Sequence, residues 1–270
     1  MRWPSLLPLA LLAACGGGRM AHAPAPGAQA FGPDGTREVK TLALVLHGDG
    51  DTVVPAAFAE ATQAIAAAIP GTRAVALLRP GYADGAGNSA PGVRGGTTGD
   101  AWTRDRLDAV ADTIAAWRAR YPHARTVLIG QSGGAAMAAL LAGLRPGLVD
   151  GVVLAGCPCM LPEWRRYRAR HGGQGFRVPV TSFDPLLTVG GIAPATKVAV
   201  LVGAEDAETP QRFSRAYAEA LALRGIATDY RVLPGRGHDL LGDGDLIEAV
   251  RRIASPVPRN APAQNAMVNP

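Results

Sequence analysis

One serine in this chain stands where a serine could act as a nucleophile. The apolar, β-branched run Thr126-Val127-Leu128-Ile129 leads into Gly130-Gln131-Ser132-Gly133-Gly134, then into Ala135-Ala136-Met137. This reads as strand, sharp turn and helix, with Gly130-x-Ser132-x-Gly134 at the turn, the pattern of a nucleophile elbow. Glycines flanking the serine let strand and helix approach closely. No other serine in the sequence has this setting. A serine hydroxyl is a weak nucleophile at neutral pH and needs a base to take its proton. His238 follows Leu233-Pro234-Gly235-Arg236-Gly237, a glycine-rich loop suited to an exposed base. Between the two, Gly203-Ala204-Glu205-Asp206 ends another apolar run. Asp206 is the candidate acid that would orient the imidazole, with Glu205 and Glu208 as competitors. Asp184, in Ser182-Phe183-Asp184-Pro185, reads better as a turn residue. The chain order Ser, Asp, His matches one known triad arrangement.

The elements that must bring these residues together can be read from periodicity. Strand-like runs cover Val39–Leu46, Thr72–Leu78, Thr126–Ile129, Leu148–Ala155, Lys197–Val202 and Thr228–Leu233. Helical patterns cover Pro55–Ile69, Asp100–Tyr121, Gly133–Leu144, Pro210–Arg224 and roughly Asp245–Ile253, and a long Gly-rich loop spans Gly81–Gly99. Near-continuous apolar strands alternating with helices predict an α/β fold, a mostly parallel doubly wound sheet with helices on both faces. In such a sheet the crevice lies beyond the carboxyl ends of the strands. Four of those ends carry, in turn, the glycine-bearing turn His47-Gly48-Asp49-Gly50, the serine, the acid and the histidine. His47 reads as a structural member of its turn, and Asp51 as a turn or cap carboxylate before Pro55.

Across residues 39–253 the chain resembles the α/β-hydrolases. The segment from Arg215 to His238, with Leu233-Pro234-Gly235-x-Gly237-His238, is similar to the dienelactone-hydrolase and prolyl-oligopeptidase-like branches. The first two strands of the full family sheet are not evident, so the sheet is expected to begin at the family's third strand. The resemblance implies a serine hydrolase acting on esters with Ser132, Asp206 and His238 as the triad. It also implies an oxyanion hole from the backbone N–H groups of Gly133 and Asp49. A peptidase or amidase on the same triad, and a silent scaffold that binds a ligand at the cell envelope, are the alternatives. No cofactor is implied, and no Cys/His spacing suggests a metal.

With 270 residues, 48% hydrophobic and 18% charged, the sequence describes one globular domain with a sizeable core. Its net charge of +5 comes from scattered arginines, with no nucleic-acid motif. Residues 1–14 read as a signal peptide, and Leu12-Ala13-Ala14-Cys15-Gly16 resembles the bacterial lipobox, which would lipidate Cys15 and anchor the protein to a membrane at the cell envelope. The alternative is a plain secretory leader cut after Ala21-His22-Ala23. Residues 15–36 read as a flexible tether and 256–270 as a disordered tail. That leaves a domain over 37–255, with a short lid-like insertion at 157–194.

The insertion holds Arg165, Arg166, Arg168, Arg170 and Arg177 beside Trp164, Tyr167, His171 and Phe176. Facing the crevice, these arginines would favour anionic esters. Otherwise they form a solvated helix face. Cys157 and Cys159 flank Pro158; so close a bridge is strained, so two free buried thiols are expected. A short lid and few aromatics predict small or medium ester substrates, with kcat/KM falling as the acyl chain lengthens.

Overall fold

The computed structural model describes residues 27–255 apart from residue 97. The leader, Cys15, residues 15–26 of the tether and the 256–270 tail lie outside the described residues. In chain order the elements are β1 (Ala28–Phe31), β2 (Thr41–Leu46), β3 (Val53–Val54), α1 (Ala56–Ala68), β4 (Thr72–Leu77), β5 (Ala83–Asp84), α2 (Arg104–Arg120), β6 (Arg125–Gln131) and α3 (Gly133–Leu144). There follow β7 (Gly151–Ala155), α4 (Leu161–Arg170), α5 (Pro185–Thr188), β8 (Lys197–Gly203), α6 (Gln211–Leu223), β9 (Thr228–Leu233) and α7 (Gly244–Ala254).

Seven strands form one sheet in the order β1-β4-β2-β6-β7-β8-β9. All neighbours run parallel except β1, which pairs antiparallel with β4. β1 corrects the sequence reading, which placed these four residues in the tether and began the sheet one strand later. Four residues are too few for a periodicity to stand out, and only tertiary pairing with β4 defines them. A second small pairing, β3 with β5, holds part of the Gly-rich loop.

Alternation along the strands divides the core in two. Leu42, Leu44, Leu46 and Leu128 pack on one face with α2, α3 and α6. Ala43, Val45, Val127 and Ile129 pack on the other with α1 and α7. Successive side chains of a strand point to opposite faces, so a strand covered on both sides must be apolar throughout. α3 is buried from Gly133 to Gly143. Its small residues let it lie against the sheet and α5, where a Cβ on Gly143 would collide with the Thr188 carbonyl oxygen.

The insertion folds as α4, a 3-10 turn at Gln174–Arg177 and α5. Trp164 of α4 is buried and donates Nε1–H to the Glu208 carbonyl at 2.8 Å, which ties the insertion to the loop after β8. Cys157 and Cys159 form a disulfide, contrary to the expectation of free thiols. The chain around Pro158 brings their Cα atoms to 5.1 Å, inside the range a bridge needs.

Candidate active site

Ser132 joins β6 to α3 with φ 53° and is, among the described residues, the one non-glycine residue at positive φ. That conformation is costly for a residue with a Cβ and persists where the surroundings enforce it. Here they do. A Cβ on Gly130 would collide with the Gly134 carbonyl, and one on Gly134 with the carbonyls of Leu46 and His47. The elbow therefore closes only with glycine at both places.

The three residues singled out by chain order meet in space. Ser132 Oγ lies 2.9 Å from His238 Nε2. His238 Nδ1 lies 2.9 Å from Asp206 Oδ2. The Asp206 carboxylate is buried and accepts from the amides of Glu208 and Thr209 at 2.9 and 2.7 Å and from the Thr209 hydroxyl at 2.7 Å. Its burial would raise its pKa, yet the bonds from His238 and Thr209 outweigh this and hold it below the ordinary carboxylate value. Burial would lower the His238 pKa, but Asp206, with help from Glu208, raises it above 6.5 against the opposing charge of Arg168.

The competitors take other places. Glu205 is exposed, and Glu208 pairs with Arg168 at 3.2 Å. Asp184 caps α5, accepting from the amides of Leu186 and Leu161, as a turn residue would. Asp51 is exposed at the crevice rim and does not cap α1, whose N-cap is Pro55. His47 is buried at the end of β2; its Nδ1–H donates to the Gly48 carbonyl at 2.8 Å while Nε2 accepts from the Arg79 amide at 3.0 Å. Burial, reinforced by Arg79, pushes its pKa down to about 3, so it is neutral and structural.

The His47-Gly48-Asp49-Gly50 turn lies directly on the elbow. A Cβ on Gly48 would meet the Ser132 Cβ, and one on Gly133 would collide with the Asp49 carboxylate. Among the described residues neither the Gly133 nor the Asp49 amide donates to a main-chain carbonyl outside the helices and strands. The Asp49 side chain is a feature the sequence reading missed. A carboxylate here would oppose negative charge beside Ser132, but the buried Arg79 guanidinium meets Asp49 Oδ1 at 2.7 Å and offsets it. Asp49 Oδ2 also accepts from the Gly99 amide at 3.1 Å, which fixes the Gly-rich loop against the turn.

Gln131 was also missed. Its Nε2 donates to the His238 carbonyl at 2.7 Å and its Oε1 accepts from the Leu240 amide at 3.2 Å. One side chain next to the serine thus grips the loop carrying the histidine. Its place inside the elbow, with an amide at its tip, was the available signal.

Of the five arginines of the insertion, Arg168 lines the cavity, and Glu208 pairs with it there. Arg165 is buried, and its fork donates to the carbonyls of Thr98, Gly175 and Val178 at 2.5, 3.1 and 2.6 Å. Arg166 pairs with Glu163. The cavity above Ser132 and His238 measures about 720 Å³. Trp164 and Phe176 of the insertion form part of its wall.

No family model matches the sequence, and no curated protein matches it. Solved structures do match. Esterase PE8 superposes with a TM-score of 0.57 at 18% identity, covering 84% of this chain and 97% of that one. Est1E from Butyrivibrio proteoclasticus gives 0.59 at 16%, covering 83% and 91%. Pyrococcus horikoshii acylaminoacyl peptidase gives 0.63 at 12%; the match covers 87% of this chain but 40% of the peptidase. At these identities the likeness is one of fold, and the fold is that of the α/β-hydrolases.

Proposed function

We propose that the protein is a serine hydrolase that cleaves carboxylic esters through an acyl-enzyme. The observation that carries this reading is the unbroken relay from Ser132 through His238 to Asp206, with both contacts at 2.9 Å and the serine held at positive φ. His238 Nε2 takes the Ser132 proton as Oγ attacks the ester carbonyl, then gives it to the departing alcohol. Water repeats the sequence on the acyl-enzyme and restores the serine. Asp206 keeps the proton on Nδ1 and balances the imidazolium. The Gly133 and Asp49 amides bind the oxyanion, each contributing about 3 kcal/mol to lowering the barrier. A fluorophosphonate should label Ser132, and Ser132→Ala should abolish ester turnover with the fold intact. Asp206→Asn should lower kcat by about 10⁴-fold through the wrong imidazole tautomer. Equal activity in wild type and Ser132→Ala would end the reading, and peptide turnover without esterase activity would move it to a peptidase.

The cellular setting belongs to the same proposal. Leu12-Ala13-Ala14-Cys15 supports a lipidated Cys15 and a lipid-anchored enzyme at the cell envelope. The mass of the mature N-terminus decides this, and an unmodified chain starting at Pro24 would exclude the anchor.

A further inference from the structure

The cavity above the triad has two unlike arms. Under the insertion it is lined by Trp164, Phe176 and the Arg168–Glu208 pair. Its other arm, along α1, is lined by the apolar Ala57, Ala61, Ala64, Val54, Phe58 and Leu241, with Glu60 among them. α1 has two faces. Phe58, Thr62 and Ile65 are buried in the core. Ala57, Ala61 and Ala64 recur at i, i+4 and i+7, so they share one helix face, and all three line the cavity that holds Ser132 and His238.

We propose that this arm holds an unbranched aliphatic chain of the substrate, making the substrate class medium-chain esters. The inference rests on the hydrolase reading above. α1 begins a few residues after the His47–Gly50 turn, so Ala57 is the end nearer the serine and Ala64 the farther. Seven residues at about 1.5 Å each span about 10 Å. With C–C bonds of about 1.5 Å an extended chain advances about 1.3 Å per carbon, so about eight carbons fit. This revises the expectation that rates fall from the shortest acyl chain onward. Glu60 lines the same arm and sets it against chains that end in a carboxylate.

The chain can come from the acyl or the alcohol side, and two series on the purified protein separate these. One is p-nitrophenyl esters from acetate to laurate; the other is n-alkyl acetates from ethyl to decyl. In one series kcat/KM should rise to about eight carbons and then level. Ala61→Leu should cut the eight-carbon substrate about tenfold, from lost methylene contacts, while the two-carbon substrate stays within about twofold. Ala61 is half-buried against the core, leucine is a good helix former, and matching thermal melts check folding. Ala64→Leu should act on the longest chains alone. Unchanged chain-length profiles in Ala61→Leu for both series overturn the proposal. Should neither series be hydrolysed, the hydrolase reading fails by itself, and calorimetry with n-alkyl boronic acids still reads the arm. Affinity must then grow with chain length in wild type and not in Ala61→Leu; affinity independent of chain length overturns it.

Discussion

His238 sits among three charges that pull its pKa in opposite directions. Asp206 and Glu208 raise it above 6.5, and Arg168 lowers it. In the proposed mechanism His238 must be neutral to accept the serine proton, so the acid limb of kcat/KM should lie above 6.5. Removing the Glu208 charge takes away a raising influence, so Glu208→Gln should move the limb to lower pH. Arg168→Gln should move it to higher pH. Paired pH–rate profiles check both, and a limb that stays put in both variants would break the link. Fold stability depends on pH in the opposite sense. With a raised folded pKa, the imidazolium stabilises the fold below 6.5, and that contribution is lost as pH rises through the folded value. Asp206, with its lowered pKa, contributes above its ordinary 3.8 and is lost only as pH falls through its folded value. The pair therefore stabilises most on the acidic side of neutrality, where His238 is protonated and the proposed base is idle.

Among the elements, the strands and helices that carry Ser132, Asp206 and His238 were legible in the sequence. α3 and β9 have the residue bounds expected, and β8 and α6 agree within a residue. Apolar runs and glycines gave them away because burial on both sheet faces forces that pattern. What escaped depends on partners distant in sequence. β1 exists by pairing with β4, and the disulfide by a local bend. Asp49 is offset by Arg79, 30 residues on and just past β4, with no local signal to join them. Arg79→Met would leave a buried carboxylate uncompensated in the His47–Gly50 turn, at a cost of about 3–5 kcal/mol. Adding Asp49→Asn should recover much of that. Denaturant melts of both singles and the double check it, and additive losses would mean the two residues act independently.

Over the whole molecule the charge is positive, but among the described residues Arg168 is the one arginine lining the crevice, and it is paired with Glu208. Arg165 is spent on three carbonyls, Arg166 on Glu163 and Arg168 on Glu208. The cavity lining instead includes Asp51, Glu60 and Asp239. The conditional preference for anionic esters, set by the arginine-rich sequence, therefore does not follow. A hemisuccinate ester should be a poorer substrate than a neutral ester of equal length, and the gap should narrow as salt screens the carboxylates. Higher kcat/KM for the anionic ester at low salt would contradict this.

The strand order has a mechanical consequence. The chain enters the sheet at β1, on one edge, while β9, which leads to His238, lies on the other. Force applied at the N-terminal end is borne first by the four residue pairs that join β1 to β4. To reach β6 it must then cross β4 and β2. With four pairs against six between β2 and β6 and five between β6 and β7, the β1 ladder is expected to part first under load. On that expectation β1 acts as a mechanical fuse, and a pulled molecule would shed its edge strand while Ser132, Asp206 and His238 stay aligned.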